Sequence, residues 1–322
     1  MAADNQEFDS LVKEIASRVS LRLNAARVGK DEPCTPSKPE GAAAPAVAAA
    51  PSTSRDPMVG AAGCTPTCAE CPTDRQGDCG AFNVIQLGAR RVAPGEGPLK
   101  TSSDMARYID HTLLKPDATR DEVVKLCEEA RKYGFATVCL NSANIPLAAQ
   151  LLKGSSTVPI AVVGFPLGAG IGSAKAFEAR EAVRAGAKEI DMVINIGALK
   201  SRDYKTVLDD IIKVVDASRP APVKVILETS QLDTEQKIIA SALAKAGGAA
   251  FVKTSTGFTG GGATAEDIAL MRRIVGEDMG VKASGGVRSV EDAQRMLGAG
   301  ANRLGASASV AIVTGQKSKA AY

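Results

Sequence analysis

The stretch EIDMVINIGALKSRDYKTVLDDIIKVVDASRPAPVKVILE, residues 189–228, decides how the chain is read. It opens on Glu189–Ile194, a short apolar run with one acid, Asp191, inside it. It passes to Asp203–Ser218, a polar amphipathic stretch, and returns at Val223–Glu228 to a second short run rich in Val and Ile. Short β-branched runs bounded by turn residues read as strands, and three-and-four spacing of apolar residues reads as a helix. Two such strands joined by one helix predict a parallel βαβ unit.

The same alternation extends in both directions. The candidate strands are Tyr108–Thr112, Phe135–Leu140, Pro159–Gly164, Glu189–Ile194, Val223–Glu228, Ala250–Thr254, Val281–Ser284 and Asn302–Gly305. Amphipathic stretches such as Asp121–Tyr133 separate them. Eight repeats over residues 101–322 predict the α/β class and a compact closed (β/α)8 TIM barrel followed by a C-terminal tail. A doubly wound open sheet is the alternative. It is disfavoured because no Gly-x-Gly-x-x-Gly follows the first strand.

Composition narrows the chemistry. The 322 residues are 45% hydrophobic and 23% charged, enough to bury a core. Lys plus Arg is 39 against 36 for Asp plus Glu, a net +3 too balanced for a nucleic-acid or anionic-membrane binder. Trp is absent, and four Tyr with seven Phe leave few rings for stacking bases. The lone histidine, His111, excludes a three-His zinc site, a two-His zinc-protease helix and a Ser-His-Asp triad built elsewhere. No export signal and no run of about 18 uninterrupted apolar residues is visible, so a cytoplasmic location and no membrane span are expected. The odd count of seven Cys points to a reducing compartment.

The first hundred residues divide differently. Residues 1–28 read as an amphipathic helix, with Phe8, Leu11, Val12, Ile15, Val19 and Leu23 on one face. A lone helix of that length is marginal in water, so it needs a surface to cover its apolar face. A docking tag is the favoured reading, ahead of a helix packed on the domain or lying on a membrane surface. Residues 29–63 form an Ala/Pro-rich segment expected to be a disordered or extended linker. Residues 64–100 carry Cys64, Cys68, Cys71 and Cys79. Four thiolates this close could hold zinc or an iron–sulfur cluster; unliganded or redox-paired thiols are the other reading.

Three ionisable residues fall inside apolar strands: Asp191, Lys253 and Lys282. A charge in a parallel strand is costly because both faces are covered. One such lysine can snorkel to solvent, but three charges on three strands of one barrel argue for use. Two lysines on adjacent strands facing a carboxylate suit one chemistry. A nearby ammonium and partial desolvation free an amine to attack a carbonyl. The resulting Schiff base is an electron sink for breaking or forming a C–C bond, and the carboxylate moves the protons. No cofactor is needed for it. Gly257 with its Gly260–Gly262 neighbours, Gly285-Gly286, and Gly305 with Ser307 follow the last three strands, where backbone N–H groups commonly hold phosphate.

These residues resemble the deoxyribose-phosphate aldolase family. The matching runs are Tyr-Ile-Asp-His-Thr-Leu-Leu-Lys-Pro at 108–116, Thr-Val-Cys-Leu-Asn at 137–141, Glu-Ile-Asp-Met-Val-Ile-Asn-Ile-Gly at 189–197, Val-Lys-Thr-Ser-Thr-Gly-Phe at 252–258, Val-Lys-Ala-Ser-Gly-Gly-Val-Arg at 281–288 and Arg-Leu-Gly-Ala-Ser at 303–307. The resemblance implies a class I aldolase on a (β/α)8 barrel, cleaving 2-deoxy-D-ribose 5-phosphate reversibly to acetaldehyde and D-glyceraldehyde 3-phosphate. It implies that Lys253 forms the Schiff base, Lys282 perturbs it and Asp191 transfers protons. It places Asp110, Thr112 and Cys139 at the pocket, and Gly257, Gly285, Gly286, Gly305 and Ser307 around the phosphate. Tyr322 is similar to a terminal tyrosine that folds over the pocket in some members; a frayed end is the alternative. Ala308 departs from the family, where some members carry a second Ser. Rival readings are a class I aldolase for another phosphorylated sugar and a non-catalytic barrel whose Cys segment does the work.

The N-terminal helix and linker resemble the encapsulation peptides of enzymes packed inside bacterial microcompartments. That likeness implies shell or cargo proteins as partners of residues 1–28. A homo-oligomer is expected of the barrel.

Overall fold

The computed structural model describes residues 102–316. The helix expected over residues 1–28, the linker at 29–63, the segment with Cys64, Cys68, Cys71 and Cys79, and Tyr322 lie outside the described residues.

A 3-10 segment, Ser102–Tyr108, leads into the repeat: β1 (Ile109–Leu113), α1 (Arg120–Tyr133), β2 (Thr137–Asn141), α2 (Ile145–Leu151), β3 (Val158–Val163), α3 (Gly172–Arg184), β4 (Glu189–Val193), α4 (Ile196–Lys200), α5 (Tyr204–Ser218), β5 (Val223–Ile226), α6 (Thr234–Ala246), β6 (Phe251–Lys253), α7 (Ala265–Val275), β7 (Gly280–Ser284), α8 (Val290–Gly298), β8 (Arg303–Ala306) and α9 (Ser309–Thr314). The strands pair in chain order, all parallel, and β8 returns to β1. The closed (β/α)8 barrel is therefore the fold, and the open-sheet alternative falls. No helix among the described residues is long and apolar enough to cross a membrane.

Local chemistry starts the helices where the periodicity does. Thr119 and Glu122 exchange side-chain and backbone hydrogen bonds as a capping box on α1, and Asp233 with Gln236 does the same on α6. Thr264 and Ser289 accept from the third helical N–H of α7 and α8.

The core splits in two because each strand has two faces. Outward residues such as Val138, Leu140, Ile190, Met192, Val252, Val281 and Leu304 join one large apolar cluster with the helices. Inside the barrel the apolar cluster is small: Leu114, Cys139, Ile160 and Val162, with Phe165 against it. Branched aliphatic layers ordinarily fill this space. Here Asp110, Asp191, Lys224, Lys253, Lys282 and Arg303 occupy it, all 2% exposed or less. Phe251 lies beneath them, its ring 5.5 Å from both Lys224 Nζ and the Arg303 guanidinium carbon. Gly280 makes that possible: a Cβ there would come within 2.1 Å of the Phe251 ring.

Candidate active site

The strand register lines up the charges. On neighbouring strands Asp191 pairs with Lys224, Lys253 with Lys282, and Lys282 with Arg303. Side chains in register on one face of a sheet meet, so four of these five strands, β4 to β7, bring their charges to one point.

Asp191 is that point. Its Oδ2 accepts from Lys253 Nζ at 3.0 Å and from Lys282 Nζ at 2.8 Å, and its Oδ1 accepts from Lys224 Nζ at 3.0 Å. A second carboxylate stands behind: Asp110 Oδ2 is 2.5 Å from Lys282 Nζ, and its Oδ1 accepts from Arg303 at 2.7 Å and from the Thr137 hydroxyl at 2.7 Å. Glu189 closes the network by pairing with Lys224 and with Arg303 at 3.3 Å.

Burial alone would raise the carboxylates and lower the amines; the pairing reverses both. Lys224, Lys253 and Lys282 hold Asp191 well below the ordinary carboxylate range despite full burial. Arg303, Lys282 and Lys224 do the same for Asp110. Asp110 and Asp191 hold Lys282 well above the ordinary lysine range, and Asp191, Glu189 and Asp110 raise Lys224. Lys224, Lys282 and Arg303 therefore stay cationic. They face the carboxylates Asp110, Glu189 and Asp191, and of the three lysines on Asp191 only Lys253 lines the solvent cleft.

That cleft opens to solvent, and the empty space in it, open solvent at its mouth included, is about 600 Å³. Lys253 lies on it together with Thr112, Gly257, Gly285, Gly286, Gly305 and Ser307, all expected from the sequence, and with Ala308. Gly285 and Gly286 have φ values of 82° and 78°, a region that favours glycine. Among the described residues, the backbone N–H groups of Gly257, Gly286 and Ser307 donate to no protein acceptor. Such a set of free donors around a recess is suited to an anion. Gly305 also clears the path of Lys282, since a Cβ there would lie 3.0 Å from Lys282 Cε and 2.8 Å from Ser284 Cβ.

Two expected pocket residues, Asp110 and Cys139, sit deeper. Asp110 belongs to the charge network, and the Thr112 hydroxyl donates to the Asp110 carbonyl at 2.8 Å. Cys139 is fully buried in the small interior apolar cluster, and burial pushes its thiol up to about 11. It is a wall atom and a poor nucleophile at neutral pH.

Sequence reading missed Lys224, Glu189 and Arg303 in the interior, and Thr256, Ser284 and Arg288 on the cleft. Lys224 within Val-Lys-Val-Ile and Arg303 within Arg-Leu-Gly-Ala carry the same signal as Lys253, a charge in an apolar strand. Glu189 and the loop residues carry no such signal.

Comparison with known proteins agrees with this geometry. The model of the DeoC/LacD family aldolases matches residues 105–316. A deoxyribose-phosphate aldolase of Halalkalibacterium halodurans is 58% identical over 223 residues, 69% of this chain and 100% of the relative. One from Clostridium perfringens is 57% identical over 219 residues, covering 68% of this chain and 98% of the relative. The tetrameric deoxyribose phosphate aldolase of Aeropyrum pernix superposes with a TM-score of 0.63 at 33% identity, covering 73% of this chain and 97% of that one. A barrel whose interior carries three lysines on one aspartate beneath a glycine-lined cleft, matched over nearly its whole length by these relatives, belongs to the DeoC/LacD aldolase family.

Proposed function

We propose that the chain is a class I aldolase that reversibly cleaves 2-deoxy-D-ribose 5-phosphate to acetaldehyde and D-glyceraldehyde 3-phosphate. The observation that carries this reading is the Lys253 nitrogen, set between the cleft and an Asp191 oxygen that it shares with Lys282. The relatives named above carry that activity in their names, and the chain covers them almost end to end.

The free amine of Lys253 adds to C1 of the open-chain sugar, and loss of water leaves a protonated imine. Removal of the C3 hydroxyl proton lets the C2–C3 electron pair flow into the imine. D-glyceraldehyde 3-phosphate leaves, and an enamine remains on Lys253. Protonation at C2 and hydrolysis release acetaldehyde and restore the amine. Asp191 is placed to shuttle these protons, directly or through a water, while Lys282 stabilises the negative charge that develops. The donors at Gly257, Gly286 and Ser307 would take the phosphate, which fixes the far end of the substrate and orients C1 on Lys253. The reaction asks for no metal or organic cofactor.

Borohydride reduction in the presence of acetaldehyde should leave an N-ethyl group on Lys253, located by peptide mass spectrometry. An unmodified Lys253 would defeat the reading. Comparing acetaldehyde with dihydroxyacetone phosphate as donor separates this enzyme from an aldolase for another phosphorylated sugar.

In this reading residues 101–322 are the catalytic unit, and residues 1–28, joined through 29–63 and the Cys-containing 64–100, are a tag that packages it in a bacterial microcompartment. Two things support the tag: the apolar face of the predicted helix, and a family match that begins only at residue 105. A volatile aldehyde product gives a reason for enclosure. A fluorescent protein carrying residues 1–30 should co-sediment with shells, and diffuse fluorescence would remove the idea. The tetramer of the Aeropyrum pernix relative supports a homo-oligomer, which sedimentation of the full chain would read directly.

A further inference from the structure

We infer that Glu228 is a positioning residue that sets the glycine loop of the cleft for a phosphorylated substrate; the inference rests on the aldolase reading above. Glu228 follows β5 and is completely buried. It is one of two non-glycine residues with a positive φ among the described residues, at φ 58° and ψ 61°. Side chains with a Cβ rarely adopt that conformation, and where it persists the surroundings over-determine it.

The surroundings are the strand that bears Lys253. Leu227 N donates to the Lys253 carbonyl at 2.9 Å, and Thr229 N donates to the Thr254 carbonyl at 3.0 Å. The kinked residue is thus held on both sides by β6 and its extension. From there one carboxylate oxygen, Oε2, accepts from the Thr256 backbone N–H at 3.2 Å and from the Thr256 hydroxyl. That hydroxyl accepts in turn from Phe258 N at 3.0 Å. The whole turn Thr256-Gly257-Phe258 hangs on Glu228. Thr256 and Gly257 line the cleft together with Gly285, Gly286 and Ser307, and the Gly257 N–H donates to no protein acceptor among the described residues.

Stability alone gives no reason for this residue. Among the described residues Glu228 has no ion pair, and its Oε1 is buried without a hydrogen-bond partner. A buried carboxylate in that state is a burden that an apolar residue would avoid. Its return is a fixed turn: engaging the Thr256 donors in one place leaves the next N–H to the cleft. The consequence is selective. A substrate that carries phosphate needs the turn, and one that lacks it does not.

The test uses the full chain with 2-deoxy-D-ribose 5-phosphate and unphosphorylated 2-deoxy-D-ribose. Glu228→Gly accepts the positive φ without strain and removes the anchor. It should raise KM for the phosphorylated sugar about tenfold or more, with kcat and the kcat/KM of the unphosphorylated sugar within about threefold of wild type. Glu228→Gln keeps an acceptor of the same shape and should stay within about threefold on both sugars. Thr256→Val cuts the same contact from the other side and should repeat the selective loss, which keeps the inference testable if Glu228→Gly does not fold. An equal loss on both sugars, no loss on the phosphorylated one, or a Glu228→Gln variant with a selective loss of its own would overturn it. Borohydride trapping of acetaldehyde on Lys253 needs no phosphate and should be unchanged in Glu228→Gly. Absence of trapping in the wild type would strike the aldolase reading instead, so the two failures are distinguishable.

Discussion

Replacing Lys282 by leucine separates the electrostatic role of that residue from a structural one. The ammonium removed touches Asp110 Oδ2 at 2.5 Å and Asp191 Oδ2 at 2.8 Å. Neither carboxylate is orphaned, because Arg303 stays on Asp110 at 2.7 Å and both Lys224 and Lys253 stay on Asp191 at 3.0 Å. The loss of stability should therefore stay below the ~3–5 kcal/mol of a broken buried pair. Lys282 also supplies charge to the reaction. Two amines that touch one carboxylate oxygen lie roughly 5 Å apart, and at an effective dielectric of about 20 a unit charge at that distance is worth about 3 kcal/mol. Negative charge that develops beside the imine on Lys253 loses that stabilisation in the variant. About 3 kcal/mol is about a hundredfold in rate, so kcat for sugar cleavage should fall by about that factor while KM stays within about threefold. Initial rates of aldehyde release over a range of sugar concentrations, coupled to an NADH-consuming reductase, give the two constants, and borohydride trapping of acetaldehyde reads imine formation on Lys253. A raised KM with kcat unchanged would refute the reasoning and assign Lys282 to ground-state substrate contact alone.

Three other perturbations test the barrel interior. Asp110 and Asp191 are held below their ordinary value of 3.8, so the folded state binds fewer protons than the unfolded one. Their contribution to stability is complete above about pH 5 and is lost as the pH falls below about 4; urea unfolding midpoints should be level on the neutral side and drop on the acid side, and a midpoint unchanged at about pH 3 would contradict the depressed values. Gly305→Ala brings a methyl group to within 2.8 Å of Ser284 Cβ and 3.0 Å of Lys282 Cε. It should cost about 1–3 kcal/mol, lower Tm by roughly 3–10 °C in calorimetry, and reduce activity by displacing Lys282; a wild-type Tm would show that the strand gives way freely. Cys139, fully buried and with its thiol pushed up to about 11, should resist iodoacetamide at mildly alkaline pH in the folded protein and react after denaturation, as followed by peptide mass spectrometry. Labelling at equal rates in both states would place it in the accessible cleft.

What the sequence made legible follows from where the cost of a residue can be seen. A charge inside a Val/Ile run is visible because nothing local repays it, and Asp191, Lys253 and Lys282 were legible for that reason. The barrel was legible because eight strand–helix alternations leave few topologies. Lys224 and Arg303 carry the same local signal, yet each sits near the start of its strand, where a long side chain can also reach solvent past the barrel rim. Only closure decides between the two. Once β8 meets β1, Arg303 and Glu189 come within 3.3 Å across the interior although 114 residues separate them, and neither strand contains a trace of that contact. The turn at Thr256 and the kink at Glu228 are further from reach still, since a glutamate at a strand end is ordinary in any sequence and becomes unusual only when found buried at positive φ. The residues that do the proposed chemistry are thus read from their own strands, whereas those that complete the network of ion pairs and hold the cleft in shape are read only from the strand across the barrel. Substitutions of the second kind should therefore be the ones whose effects local sequence context foretells least, and Lys224→Met is the sharpest case. It leaves Glu189 only its long contacts to Arg303 and takes one of three lysines from Asp191, in a strand where methionine would pass for an improvement.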